Sequence, residues 1–264
     1  MARPIITLTT DYGTNDHLVG VMKGVILSIN PDANIVDITH HVMAHDLLDG
    51  AMAIGQAFKY FPPKTVHVVV VDPGVGTARR PILVASDTQY LVAPDNGVLS
   101  SVYDQTEALY VWNIISEHYF RQPVSNTFHG RDIFAPVAAW VTKSWQTSAF
   151  GEPITDFVRF ALPRPKANGN VVKGVVLRVD QFGNLITNLR AEDVPAFTAD
   201  GGKFTIRAGN ATMTKLVPTF ASGANGEAIG LIGSSGFLEI SVNRTSASKA
   251  LGIGRGAEVT VEVG

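Results

Sequence analysis

The sequence contains no cysteine among its 264 residues. This absence excludes disulfide bonds, cysteine-ligated iron–sulfur clusters and catalysis by a thiol. It also suits a reducing compartment, so we expect a cytoplasmic protein. The stretch before the first predicted strand is too short and too polar for a signal peptide, which agrees with that expectation.

Charge and long apolar runs are also scarce. Charged residues make up 17% of the chain, the net charge is −2, and lysine and arginine form no long run. Because nucleic-acid phosphates are bound by clustered lysine and arginine, we expect no nucleic-acid partner. No apolar run reaches the about 18 residues of a membrane-spanning helix, so we expect no membrane partner either. Hydrophobic residues, at 45%, are instead sufficient for a buried core.

The first part of the chain alternates between predicted strands and helices. Helical spacing of apolar residues predicts helices over 17–28 and 44–61. Short apolar runs predict strands over 5–9, 34–39 and 66–71. This alternation favours a parallel sheet with right-handed crossovers and helices on both faces. A predicted hairpin over 81–93 makes the sheet mixed, and a further helix is predicted from residue 127 onward.

The pattern changes after residue 160. Residues 160–174 are rich in proline, glycine and asparagine and lack an apolar period, which is typical of a linker. Alternating apolar runs separated by glycines then predict a small β-domain, a barrel or a sandwich. We therefore predict an N-terminal α/β domain over residues 1–162, a linker over 163–170 and a C-terminal β-barrel domain over 171–264.

Two predicted strands end in an aspartate, Asp11 and Asp72. Aspartate is also an ordinary turn residue, so one interpretation is that both cap the following loops. However, ligands in open α/β sheets bind beyond the carboxyl ends of the strands, where a carboxylate can accept both hydroxyls of a ribose. Asp11 is our candidate for that contact. The sequence has no G-x-G-x-x-G, and DPGVGT lacks the lysine of a phosphate loop, so a nucleoside without phosphates is favoured over a nucleotide.

His129 and Arg79 are further candidates. His129 lies at the start of a predicted helix, where the helix dipole favours a neutral imidazole; it is alternatively a helix-entry residue with a satisfied hydrogen bond. Arg79 either forms an ion pair with Asp72 that holds the loop or takes part in a site. Four possible metal ligands lie close together in the sequence: His40, His41, His45 and Asp46. Their spacing fits no common metal site, so we predict no bound metal.

Five motifs, in this order, resemble those of the S-adenosyl-L-methionine (SAM) hydroxide adenosyltransferases, the adenosine-forming SAM hydrolases related to the SAM-dependent fluorinase and chlorinase. The motifs are TTDYG at 9–13, VDPGVGTARR at 71–80, TFHGRD at 127–132, VDQFGNLITN at 179–188 and GSSGFLEISVN at 233–243. The resemblance covers essentially the whole chain. It implies an N-terminal α/β domain, a C-terminal β-barrel and a homotrimer with its sites at subunit interfaces.

The resemblance also implies a reaction and a water-handling triad. In that reaction a water attacks the ribose C5′ of SAM in line and releases adenosine and L-methionine, with no cofactor. The triad corresponds to Asp72, Arg79 and His129, with Arg80 as a less favoured substitute for Arg79. A halogenase-like transferase and a non-catalytic SAM or adenosine sensor are the alternatives. The halogenases lack the equivalents of Asp72 and His129, whereas this sequence keeps both, which favours water over halide as the nucleophile.

The remaining contacts implied by the resemblance involve both halves of the chain. Asp11 would bind the ribose, Asp180 the ammonium of the methionine part, and Ser234 its carboxylate. Ser235 stands where some relatives carry an arginine, which leaves a second contact to the carboxylate open. The residues implied at the adenine are Phe182, Asn184 and Asn243.

Overall fold

The computed structural model describes residues 3–264, which form two compact units. The first unit ends at Leu162 and the second comprises Pro163–Gly264. The predicted linker over 163–170 lies in the second unit, and part of it, Lys166–Asn168, is a strand. Within the described residues, no helix has both the length and the apolar character needed to cross a membrane.

The first unit contains a seven-stranded mixed sheet with the order β2-β1-β3-β5-β4-β6-β7. Its strands are β1 (Ile5–Thr10), β2 (Asn34–Thr39), β3 (Val66–Val70), β4 (Pro81–Ala85), β5 (Tyr90–Pro94), β6 (Tyr110–Ile114) and β7 (Gly151–Ile154). The strands β2, β1, β3 and β5 pair in parallel, whereas β4 is antiparallel to both of its neighbours and β7 is antiparallel to β6. The prediction of a mixed sheet is confirmed: three of its six strand pairings are parallel and three are antiparallel.

Helices cover both faces of this sheet. They are α1 (Leu18–Ile29), α2 (Leu47–Ala57), α3 (Ser100–Tyr103) and α4 (Ala135–Ser144). Val68 and Val70 of β3 belong to the apolar cluster that contains residues of α1 and α4, whereas Val69 and the following Val71 belong to the cluster that contains residues of α2 and α3. Successive side chains of a strand point to opposite faces, so a strand with both faces covered is apolar almost throughout. The valine run therefore follows from its central position.

His67 is the polar exception in that strand, and it is buried. Gln89 donates its side-chain amide to the carbonyls of Phe58 and Phe61, so its Oε1 is the atom that faces His67 Nε2, 3.3 Å away. The imidazole therefore carries its proton on Nε2, and the Thr7 hydroxyl donates to Nδ1 at 2.7 Å. Burial lowers the pKa of His67 to about 4, so this ring is neutral and structural.

The second unit is an antiparallel sheet that nearly closes on itself. Its order is β12-β11-β15-β9-β10-β14-β13, with β8 paired to β9. Leu216, after β12, bridges Gly230 in β13 and so brings the two edges together. The predicted β-barrel is confirmed. The elements are β8 (Lys166–Asn168), β9 (Val171–Val179), β10 (Leu185–Arg190), β11 (Phe204–Ala208), β12 (Ala211–Met213), β13 (Ala228–Ile232), β14 (Phe237–Val242), α5 (Ala247–Leu251) and β15 (Glu258–Val263).

Candidate active site

The parallel pairing of β1 and β3 brings two strand-end carboxylates to one edge of the sheet. Thr10 pairs with Val70 in the register of the two strands. Asp11 and Asp72 therefore follow their strands at the same, carboxyl-terminal edge, where open α/β sheets bind their ligands.

The turn after Asp72 passes close to the segment that precedes His129. A Cβ at Gly76, where φ is 77°, would lie 2.2 Å from the Asn126 carbonyl oxygen. The approach of these two backbone segments therefore requires glycine at this position.

Asp72, Arg79 and His129 form one contiguous cluster. Arg79 Nε lies 3.0 Å from both Asp72 carboxylate oxygens, and Arg79 Nη2 lies 2.5 Å from Oδ2. The same Nη2 lies 2.6 Å from His129 Nδ1. The side chains of Asp72 and Arg79 are only 4% and 9% exposed, so the ion pair is buried. The guanidinium also lies 5.2 Å from the centre of the Phe134 ring, which gives it an apolar neighbour on one side.

The imidazole of His129 is neutral in this cluster. An arginine guanidinium can only donate, so Nδ1 accepts from Arg79 Nη2 and the ring proton is on Nε2. Burial and the charge of Arg79 lower the pKa of His129, and they outweigh the opposing effects of Asp72, Asp132 and a backbone hydrogen bond at Ser125. The expectation of a neutral histidine at this position agrees with the geometry.

Asp132 holds the backbone around His129. Its side chain is fully buried and accepts from Arg131 Nε at 2.6 Å and from the Ser125 backbone N–H at 2.9 Å. Burial disfavours its charge, but the hydrogen bonds from Arg131 and Ser125 and the charges of Arg131 and Arg121 outweigh burial and lower the pKa of Asp132. Sequence reasoning did not single out Asp132, although the TFHGRD motif contains it.

Arg80 has different partners from Arg79. Its guanidinium donates to Asp95 Oδ2 at 2.7 Å and to Asp156 Oδ1 at 2.8 Å. It therefore connects two loops of the first unit, and Arg79 is the arginine that pairs with Asp72.

One of the two carboxylate oxygens of Asp11 already accepts a hydrogen bond from the protein. Its Oδ2 accepts from the His45 backbone N–H at 2.9 Å, which ties the end of β1 to the loop before α2. Its Oδ1 makes no hydrogen bond with any residue that the structure describes, 3–264. The carboxylate thus holds a loop 34 residues away in the chain, and not the loop that directly follows it, as one interpretation of the sequence had it.

Four of the five candidate residues of the second unit lie in two tight turns. Between β9 and β10, Asp180 accepts from the backbone N–H groups of Phe182 and Asn184 and from the Asn184 side-chain amide, at 2.8–2.9 Å. The Phe182 side chain in this turn is 76% exposed. Such exposure is unusual for a large apolar group and is typical of a side chain that contacts a ligand or another protein surface. Ser234 lies in the turn between β13 and β14.

Asn243 follows β14 and is held by the loop before β13. Its side-chain amide donates to the Gly223 carbonyl at 2.7 Å, and its backbone N–H donates to the Glu227 carbonyl. The structure therefore accounts for Asn243 as a loop anchor, and its role at a ligand stays a prediction.

Two of the possible metal ligands, His40 and Asp46, have structural roles. His40 Nδ1 lies 2.9 Å from the Thr10 hydroxyl, and Asp46 caps the N-terminus of α2. Among residues 3–264, no group of three or more histidine, aspartate or glutamate side chains is arranged to hold a metal ion.

The fold and the cluster define a class of protein: an α/β unit with a buried carboxylate–guanidinium–imidazole group at its sheet edge, followed by a β-barrel. Such a carboxylate, held in place by an arginine, can orient a small polar nucleophile and accept its proton.

Comparison with known proteins gives the family. Models of the SAM hydroxide adenosyltransferase N-terminal and C-terminal domains match residues 6–151 and 174–260. The chain therefore belongs to the SAM hydroxide adenosyltransferase family, and the resemblance inferred from the five motifs is confirmed.

Individual relatives agree with this assignment. An (R)-S-adenosyl-L-methionine hydrolase from Methanocaldococcus jannaschii is 38% identical, over 94% of this chain and 92% of the relative. A fluorinase from Actinoplanes is 29% identical, over 98% of this chain and 97% of the relative. A crystal structure of a conserved protein from Thermotoga maritima has a TM-score of 0.90 and 36% identity, and covers 97% of this chain and 99% of that one.

Proposed function

We propose that this protein hydrolyses SAM to adenosine and L-methionine by in-line attack of a water molecule on the ribose C5′. The observation that supports this most directly is the buried contact of Asp72, Arg79 and His129 at the carboxyl edge of the sheet. Membership of the family and the similarity to SAM hydrolases support the same reaction.

The reaction requires little acid catalysis. The water oxygen bonds to C5′, the C5′–S bond breaks, and its electron pair stays on sulfur, so methionine leaves as a neutral thioether. The remaining task is to position and deprotonate one water. Asp72 accepts the proton, Arg79 orients the carboxylate, and neutral His129 provides a further polar contact. No cofactor takes part in this scheme.

The contacts to the ribose and the base belong to the same proposal. Asp11 Oδ1, which has no hydrogen bond within residues 3–264, accepts from the ribose diol. Phe182 and Asn184 contact the adenine, and Asn243 borders it. The exposure of the Phe182 ring supports this assignment, because stacking on a base would cover it.

The methionine part is assigned to the second unit. Asp180 binds the ammonium, and Ser234 binds the carboxylate. Burial, and then the charge of the neighbouring Asp180, raises the pKa of Glu239, so this carboxyl lies close enough to Asp180 to interact with it.

Assembly and location form part of the same proposal. We infer a cytoplasmic homotrimer in which the sites lie between subunits. Analytical ultracentrifugation gives the mass of the assembly, and a monomer at micromolar concentration argues against the trimer.

The reaction can be tested directly. SAM incubated with the protein in ¹⁸O-labelled water should yield methionine and adenosine, with the label at the 5′-oxygen of adenosine, as measured by chromatography and mass spectrometry. Chloride or fluoride in the buffer tests the halogenase alternative, which the similarity to a fluorinase raises; a 5′-halogenated product would support it. Tight binding of SAM without product would support the sensor.

Replacing Asp11 by alanine should raise KM for SAM about tenfold, with a smaller effect on kcat, because the ribose loses a hydrogen bond made in both ground and transition states. Steady-state kinetics and the Kd of adenosine measure this effect. Unchanged affinity for adenosine shows that the ribose binds elsewhere.

Acid should inactivate the enzyme through His129. Burial and the charge of Arg79 lower the pKa of His129 below the ordinary 6.5, so the ring is neutral and the enzyme is active at pH 7. Activity is lost as the pH falls through the lowered pKa, because a protonated ring repels Arg79 and can no longer accept from it. An NMR titration, with the resonance assigned through His129→Asn, measures the value. A pKa at or above 6.5 contradicts the prediction.

A further inference from the structure

Tyr12 is a polar side chain beside the cluster that the proposed mechanism does not use. Its ring packs edge-to-face on Phe128, with the centroids 5.8 Å apart. Its backbone N–H donates to the Thr10 hydroxyl, which fixes the turn after β1. The ring is therefore held between the strand-end turn and the segment that carries His129.

The position of the Tyr12 hydroxyl follows from its short distance to Gly130. A Cβ at Gly130 would lie 2.6 Å from the Tyr12 hydroxyl oxygen, so this oxygen lies directly against the residue that follows His129. Burial together with the charges of Asp11 and Asp72 raises the pKa of Tyr12. The phenol is therefore protonated at neutral pH and lies close to the triad.

The hydroxyl also has unused hydrogen-bonding capacity. Among residues 3–264, no group forms a hydrogen bond with it. A partly buried hydroxyl without a protein partner is satisfied by a water or by a ligand.

We propose that the Tyr12 hydroxyl is a further catalytic group, which hydrogen-bonds to the attacking water. This inference rests on the proposed hydrolysis of SAM. A water that gives one proton to Asp72 has a second O–H group. That group donates a hydrogen bond to the phenol oxygen of Tyr12. Two fixed acceptors then hold the water's lone pair toward C5′, which a single carboxylate cannot do. Tyr12 keeps its own proton throughout.

Tyr12→Phe keeps the ring and its packing and removes only the hydroxyl. We expect kcat to fall about tenfold, as for the loss of one hydrogen bond in the transition state, with KM for SAM and the Kd of adenosine within about twofold of wild type. The exposed Tyr60 provides a matched control, Tyr60→Phe, with unchanged kinetics.

Gly130→Ala provides an independent test, because its methyl group displaces the hydroxyl without removing it. We expect kcat to fall in this variant, and the double variant to be no slower than the slower single variant, since both changes remove the same contact. Additive losses would overturn the proposal. So would a kcat for Tyr12→Phe within about twofold of wild type, or an effect confined to KM. Wild-type protein that releases no adenosine instead overturns the proposed function, and the role of Tyr12 with it.

Discussion

Replacing Asp72 by asparagine is expected to reduce kcat at least about 100-fold, the usual loss when a general base is removed. Asparagine has nearly the same shape as aspartate but cannot accept a proton from water. Binding should change little, because the substrate contacts are assigned to other residues. Single-turnover kinetics with SAM measure the chemical step, and calorimetry measures the Kd.

A matched control separates this effect from a general loss of charge. Asp104 is half-exposed and lies 3.5 Å from Arg159 in a surface pair, so Asp104→Asn should leave kcat unchanged. Turnover by Asp72→Asn within about tenfold of wild type would remove Asp72 from its role as the base.

Replacing Arg79 by methionine is expected to destabilise the first unit by about 3 kcal/mol, in the range found when one partner of a buried ion pair is removed. The Asp72 carboxylate, 4% exposed, would be left without its guanidinium, and His129 would lose its donor. Chemical denaturation followed by circular dichroism measures the change in the free energy of unfolding.

The double variant Asp72→Asn/Arg79→Met isolates the physical cause. If the cost arises from the unpaired buried charge, the neutral amide should restore part of the lost stability relative to Arg79→Met alone. Arg207 provides the control, since its pair with Glu262 is more than half exposed on both sides and Arg207→Met should cost less than about 0.5 kcal/mol. Equal losses in the single and double variants contradict the explanation.

Local sequence patterns predicted most of the first unit. The alternation of strand and helix patterns predicted a sheet covered on both faces, and the valine run predicted a strand buried on both faces. Because both strands were expected in one parallel sheet, Asp11 and Asp72 were expected at one edge, as the register of Thr10 with Val70 confirms. Short strands such as β7, β8 and β12 were not predicted, since three or four residues carry too little periodicity.

The sequence by itself determined the order of the main elements, the family and the set of candidate polar residues, because these depend on local patterns and motifs. Only the tertiary structure decided which of two consecutive arginines meets Asp72, which nitrogen of His129 carries the proton, and that the Tyr12 hydroxyl lies against Gly130. Each of these depends on the path of a loop and on contacts between residues distant in the chain, which no local pattern encodes.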